Sequence, residues 1–237
     1  MAKGKSTRSG KIFKCMVLCV CIFVLVPVVE VVSVRFVNPP LAMPMVLHGL
    51  RGMVLSSSRS KIQYEYIGLN GIPVMFIKHL WISEDERFFQ HNGFDWKEMD
   101  IAIKKAEREG KPVRGASTIT MQCARSLFLW QGRSWIRKGL EAYYTVLMEL
   151  FLSKPRIMEL YANVIEMGDG IYGVKAAARH YYDVAPRALT REQSAMLAAV
   201  LPNPTGWNPN APGPTLMHRQ RSILERAKTT RFPVNLL

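Results

Sequence analysis

The sequence predicts a mainly α-helical domain behind one N-terminal transmembrane helix. Three observations carry that reading. An apolar run from Ile12 to Val34 follows a basic N-terminus. Beyond it, Ser, Thr and Asp residues stand just ahead of segments with apolar residues at helical spacing. No alternating run is long enough for a sheet, and there is no internal repeat. We divide the chain into a basic tail (1–11), a span (12–34), a membrane-proximal segment (35–70) and a helical domain (71–237).

The first element is the span. Lys3, Lys5, Arg8, Lys11 and Lys14 precede any acid, and Cys15 to Val29 is wholly apolar. Ile12 to Val34 is about 23 residues, about 35 Å of helix, enough for a bilayer core. The basic flank stays in the cytoplasm and places the rest outside the inner membrane. A cleaved signal peptide is the alternative, but no small-x-small site follows the run, which favours an uncleaved anchor. Pro27 and Glu30 interrupt the pattern, with Glu30 near the outer interface. The formal charge of +14 calls for an anionic partner. Nucleic acid and an anionic membrane both qualify, and the N-terminus favours the membrane.

From Asn38 to Lys61 the chain reads as irregular and semi-apolar, either touching the bilayer or packing on the domain, with a loop at Ser56–Ser58. Pro73 opens a helix to about Gln90, anchored on Trp81, Glu84 and Phe88. Asp95 caps a helix from Trp96 to about Arg108, with Ile101 on its buried side. Gly110 to Gly115 is a break, after which Ser117 caps a helix through Leu127. Ser134 opens a long helix to about Leu152, with Trp135, Leu140, Leu147 and Phe151 available for burial. Pro155 sits in the first turn of the next, which runs to about Glu166 and ends at Gly168-Asp169-Gly170. Gly173 to Tyr182 is helical, Thr190 to Gln193 is a capping box, and a last helix spans about Thr215 to Lys228.

Three segments carry chemistry. Glu84 and Asp85 end a helix beside a turn at His91 and Gly93, so a carboxylate there can face a cleft; an ordinary acidic surface is the alternative. Arg137 and Lys138 stand four and three residues ahead of Glu141, either as a solvated ion pair or as a carboxylate held among substrate-binding cations. Ser117, Thr118 and Gln122 follow a Gly-Ala step at a helix start, where free N–H groups favour an anion, with Arg114 and Arg125 adding charge; a plain capped helix is the alternative. Ser58-x-x-Lys61 matches a transpeptidase pattern, but no Lys-Thr-Gly accompanies it. Only Cys123 lies beyond the anchor, and the five histidines show no metal-binding spacing, so no protein-built metal site is expected.

Four ordered segments resemble the peptidoglycan glycosyltransferases in their short single-domain form. They are Glu84-Asp85-x-x-Phe88-x-x-His91-x-Gly93, then Gly115-x-Ser117-Thr118-Ile119-x-x-Gln122, then Arg137-Lys138-x-x-Glu141, and Arg156-Ile157-x-Glu159-x-Tyr161-x-Asn163 with Gly168-x-Gly170-x-x-Gly173 after it. The resemblance covers about Gly71 to Ala227, and four segments in order are far more specific than any one. It implies a lysozyme-like helical domain that polymerises lipid II at the membrane. It implies Glu84 as the general base and Glu141 as a second catalytic carboxylate near the leaving pyrophosphate. Ser117, Gln122, Arg125, Arg137 and Lys138 match positions on the donor side. Asp85, Phe88, His91, Thr118 and Asn163 are the further motif positions expected to bind substrate. Met121, Arg125, Ala162 and Ala116 depart from the family's usual glutamine, lysine, leucine and glycine; the first two bear on donor affinity more than on activity.

The expected partners are lipid II, the growing glycan chain and membrane lipids, with cell-wall synthesis or division proteins beside them and no nucleic acid. No cofactor is expected beyond a divalent cation such as magnesium on the substrate pyrophosphate. Past Leu237 there is no room for a transpeptidase domain, so cross-linking is expected from another protein. Two rivals remain at this stage: a lysozyme-like hydrolase of the same glycan, and a non-catalytic basic membrane protein.

Overall fold

The computed structural model describes residues 5–55, 61–112, 115–132 and 134–237. Lys3, the serine run at 56–58, the first three residues of the Ser58-x-x-Lys61 pattern and Arg114 lie outside the described residues. In chain order the helices are α1 (Lys5–Phe36), α2 (Met43–Leu55), α3 (Val74–Glu84), α4 (Trp96–Glu109), α5 (Ile119–Phe128), α6 (Trp135–Phe151), α7 (Lys154–Val164), α8 (Gly173–Tyr182), α9 (Arg191–Ala199) and α10 (Pro214–Thr229). Three short strands accompany them: β1 (Gln63–Tyr64), β2 (Glu166–Gly168) and β3 (Ile171–Tyr172).

The Gly10–Phe36 part of α1 is long and apolar enough to cross a membrane. The stretch read as irregular contains α2: Pro44 falls in its first turn, where a missing N–H costs nothing, and Ala42 and Met45 are buried. α3 stops at Glu84 instead of continuing to Gln90, because Asp85 turns extended (φ −165°) and its side chain bonds elsewhere; a single 3-10 turn, Phe88–Gln90, follows. Asp95 caps α4 as expected, accepting from the Lys97 and Glu98 N–H groups at 3.1 Å. Ile101, expected inside, is 54% exposed, since α4 lies on the surface and buries none of its residues.

Thr118, not Ser117, caps α5: its hydroxyl accepts from Met121 N and donates to the Gly93 carbonyl at 2.6 Å. Ser134 caps α6 as read, but Trp135 is 92% exposed in the first turn, ahead of the packed part of the helix. α7 ends at Val164, and Glu166 instead begins a small sheet of order β1-β3-β2 that the sequence did not announce. β1 runs parallel to β3, with Gln63 opposite Ile171, and β2 runs antiparallel, with a bulge between Glu166 and Gly168. The capping box at Thr190–Gln193 is present with both hydrogen bonds.

The core is continuous. Phe76, Leu80, Ile119, Met148, Ile157, Tyr161 and Leu197 are fully buried. α9 packs against α3 and α10, while α5 packs against α6 and α7. The C-terminal end of α3 and the N-terminal end of α5 meet where these two groups of helices adjoin, joined by Asp85.

Candidate active site

The break after α3 puts Glu84 at the wall of a cleft of about 180 Å³, lined also by Ser83, Asp85, Arg87, Ser117 and Arg226. Its side chain is only 11% exposed. Oε1 accepts from Ser83 Oγ at 2.9 Å and Oε2 from Gln122 Nε2 at 3.0 Å. The Gln122 amide is itself oriented by Tyr161, whose hydroxyl donates to its Oε1 at 2.9 Å. Burial, and then the charge of Glu84, push the Tyr161 phenol well above its ordinary range, so it remains a donor. Among the described residues the cation paired with it is Arg219 on α10, 3.9 Å from Oε1 and tethered by the Ala199 carbonyl. The carboxylate is thus held in place by neutral donors with one oxygen edge toward open space, as a proton acceptor for a hydroxyl requires.

The neighbouring motif residues build this geometry. Asp85 is buried and spends its oxygens on His91 Nε2 (3.1 Å) and on the Ile119 N–H at the start of α5 (3.0 Å). Asp95 pairs with Arg87 at 2.8 Å. Oxygens and nitrogens of Asp85, His91 and Asp95 converge within 4.8 Å, a spacing that could hold a metal ion, but an N–H and a guanidinium already occupy the carboxylates. The trio is a brace between α3, α4 and α5.

Gln122 also borders a second hollow of about 250 Å³, with Arg125, Trp130, Glu166, Tyr172 and Pro202. Burial raises the Glu166 carboxyl above its ordinary value. Arg125 therefore lines the same hollow as Gln122, whose amide bonds Glu84. Met121 is buried, so the departure at that position is not on the open surface.

Three of the expected residues lie inside the protein. Glu141, expected as a second carboxylate near the leaving pyrophosphate, is fully buried, with Oε2 on Arg137 at 2.8 Å and Oε1 on Lys138. It holds those two cations in place. Phe88, expected to meet substrate, is fully buried with Lys154 over its ring at 4.4 Å. Asn163 is likewise buried, and its amide closes a two-way bridge to the Ile67 backbone (2.8 and 2.9 Å), tying the segment after β1 to α7. Thr118 and His91 also face inward, onto Gly93 and Asp85. Of the expected residues, Glu84, Asp85, Ser117 and Thr118 line the cleft, Gln122 and Arg125 line the adjoining hollow, and Arg137, Lys138 and Glu141 form a cluster of their own on α6.

Arg219 and Arg226 were missed. They stand seven residues apart on one face of α10, and that spacing was the available signal; Arg226 pairs with Glu86 at 2.5 Å on the cleft wall. Tyr161, quoted only as part of a motif, proves to orient Gln122.

Comparison with known proteins follows the same residues. A family model described as Transglycosylase matches residues 51–228. The biosynthetic peptidoglycan transglycosylase of Xylella fastidiosa is 44% identical over 204 residues, 86% of this chain and 84% of the relative. Those of Haemophilus influenzae and Caulobacter vibrioides are 41% and 42% identical, covering 81% and 83% of this chain and 78% and 82% of theirs.

Proposed function

The chain belongs to the transglycosylase family, and from that premise we propose that it is a peptidoglycan glycosyltransferase that polymerises lipid II into β-1,4-linked glycan, releasing undecaprenyl pyrophosphate for cell-wall biogenesis. The observation that carries the reading is Glu84: a carboxylate clasped by Ser83 and Gln122 at the edge of a cleft, with cations near but not on it.

The chemistry follows from that placement. The acceptor's 4-hydroxyl gives its proton to Glu84 while its oxygen forms a bond to the anomeric carbon of the donor. The bond from that carbon to the pyrophosphate oxygen breaks, its electron pair leaves with the pyrophosphate, and the α-linkage becomes β. Charge develops on the departing group, which fixed cations stabilise. Arg125 beside Gln122, with Arg137 and Lys138 held by Glu141, are the residues we assign to it. Ser117 and Arg226 line the cleft beside Glu84. A divalent cation such as magnesium would travel with the pyrophosphate and add to the same neutralisation.

A substrate on a polyprenyl chain is confined to a bilayer, which gives the apolar α1 its purpose. We place the N-terminus in the cytoplasm, the helical domain on the outer face of the inner membrane, and cell-wall synthesis or division proteins beside it. Product identity tests the reading. With labelled lipid II, one undecaprenyl pyrophosphate should appear per glycosidic bond formed; soluble sugar fragments without that lipid product would overturn it in favour of a hydrolase.

A further inference from the structure

Glu30 is the one acid in the apolar run from Cys15 to Val34. An ionisable residue in such a helix costs free energy unless it has a partner, and usually marks a task. Gly10 to Glu30 is about 20 residues, about 30 Å of helix, so Glu30 falls at the outer edge of a bilayer core.

Its partner is Tyr144 on α6, whose hydroxyl donates to Glu30 Oε2. Burial, and then this hydrogen bond, push the Tyr144 phenol above its ordinary range, so it stays a donor. Tyr144 stacks on Phe128 of α5 at 4.6 Å and lies three residues beyond Glu141 on α6. The contacts around it fall on the same stripe of α1. Tyr143 donates to the Val24 carbonyl at 3.1 Å and stacks on Phe23. Pro27, Val31 and Val34 are buried along that face. At the end of α1, Arg156 of α7 donates to the carbonyls of Val34 (2.9 Å) and Val37 (3.2 Å), groups that a helix end leaves without partners. The outer turns of the span are therefore part of the domain core.

We propose that Glu30 and Tyr144 form a polar latch that fixes the anchor in register against α6, so that Arg137, Lys138 and Glu141 stand at a set height above the bilayer. Both are positioning residues: neither touches substrate, and they act through α6. The functional side of the latch rests on the reading above, that the site takes its donor from the membrane. An apolar contact would hold the helices together but let them slide or rotate. A directed hydrogen bond at the membrane boundary, where water competes poorly, selects one register.

The test uses the full chain in phospholipid nanodiscs, with native cysteines replaced by serine and spin labels at Val29 and Val146, both exposed and clear of the contact. Electron–electron distance measurements should give one narrow distribution for the parent and for Glu30→Gln, which keeps an acceptor. Glu30→Leu and Tyr144→Phe, both of which still insert, should broaden it. With lipid II, the same two variants should raise KM about tenfold, as expected for losing a hydrogen bond to a charged group, with kcat little changed. The double variant should be no worse than either single one, since both remove the same bond. A narrow distribution in Glu30→Leu, or additive losses in the double variant, would overturn the latch. A parent that forms no polymer would overturn the functional reading, while the distance measurement would still judge the latch.

Discussion

Glu141→Gln separates a carboxylate that acts on substrate from one that holds cations. The side chain is fully buried, and its 2.8 Å partner Arg137 is only 10% exposed, while Lys138, on the other oxygen, is 43% exposed and contributes little. The isosteric amide leaves the Arg137 guanidinium buried without its counter-charge. Breaking such a pair costs about 3–5 kcal/mol, and the slight exposure of Arg137 favours the lower end, near 3 kcal/mol. For a domain of this size that corresponds to a fall in Tm of about 6–12 °C. Thermal unfolding of the detergent-solubilised protein, followed by circular dichroism, reads it directly. Replacing both partners by leucine should recover most of the loss, because the desolvation penalty of the charges disappears with them. A loss below about 1 kcal/mol in Glu141→Gln would refute the reasoning, for it would mean that water reaches the pair.

Other consequences follow from the same geometry. Asp85→Asn should cost about 2 kcal/mol, seen as a lower urea midpoint at unchanged slope, because the charged acceptor of His91 and of the α5 N–H is lost. His79 is buried against Ser194, and burial first, then the charges of Arg191 and Lys78, push its imidazole down to about 4. The unfolded imidazole takes up a proton from its ordinary 6.5 downward and the folded one only near 4. Stability should therefore fall between those values as pH drops, by about 3 kcal/mol in all, and level off below. Unfolding free energies across that window should show the slope, and His79→Asn should flatten it. Gly173→Ala places a Cβ against the Asn163 carbonyl at a φ of +79°, and should lower stability by about 2 kcal/mol or more in the same unfolding assay.

What could be read from the sequence is what is decided locally. The caps at Asp95, Ser134 and Thr190 depend on hydrogen bonds that span three residues, and they stand where the residue types placed them. Burial on a helix face depends on neighbours far along the chain, so Ile101 and Trp135 were put inside on periodicity that several faces could satisfy. The end of α3 at Glu84 is set by a bond from Asp85 to Ile119, and no local pattern encodes it. Strands of two or three residues are too short to show alternation, which hid the sheet. At the site, the residues around Glu84 were legible as a motif, but their division of labour was not. Glu141, Phe88 and Asn163 share the motif's prominence, yet their burial could not be read from its spacing, and Arg219 reaches Glu84 only because α10 packs on α3 and α9.

The most direct measurement is the product profile of the full-length protein on labelled lipid II, run beside Glu84→Gln. The amide preserves the shape of the Glu84 site and can keep one bond to Ser83 or Gln122, but it cannot take a proton. The account predicts polymer from the parent and a loss of several orders of magnitude in the variant, with its fold intact. Polymer from Glu84→Gln at the parental rate would contradict it.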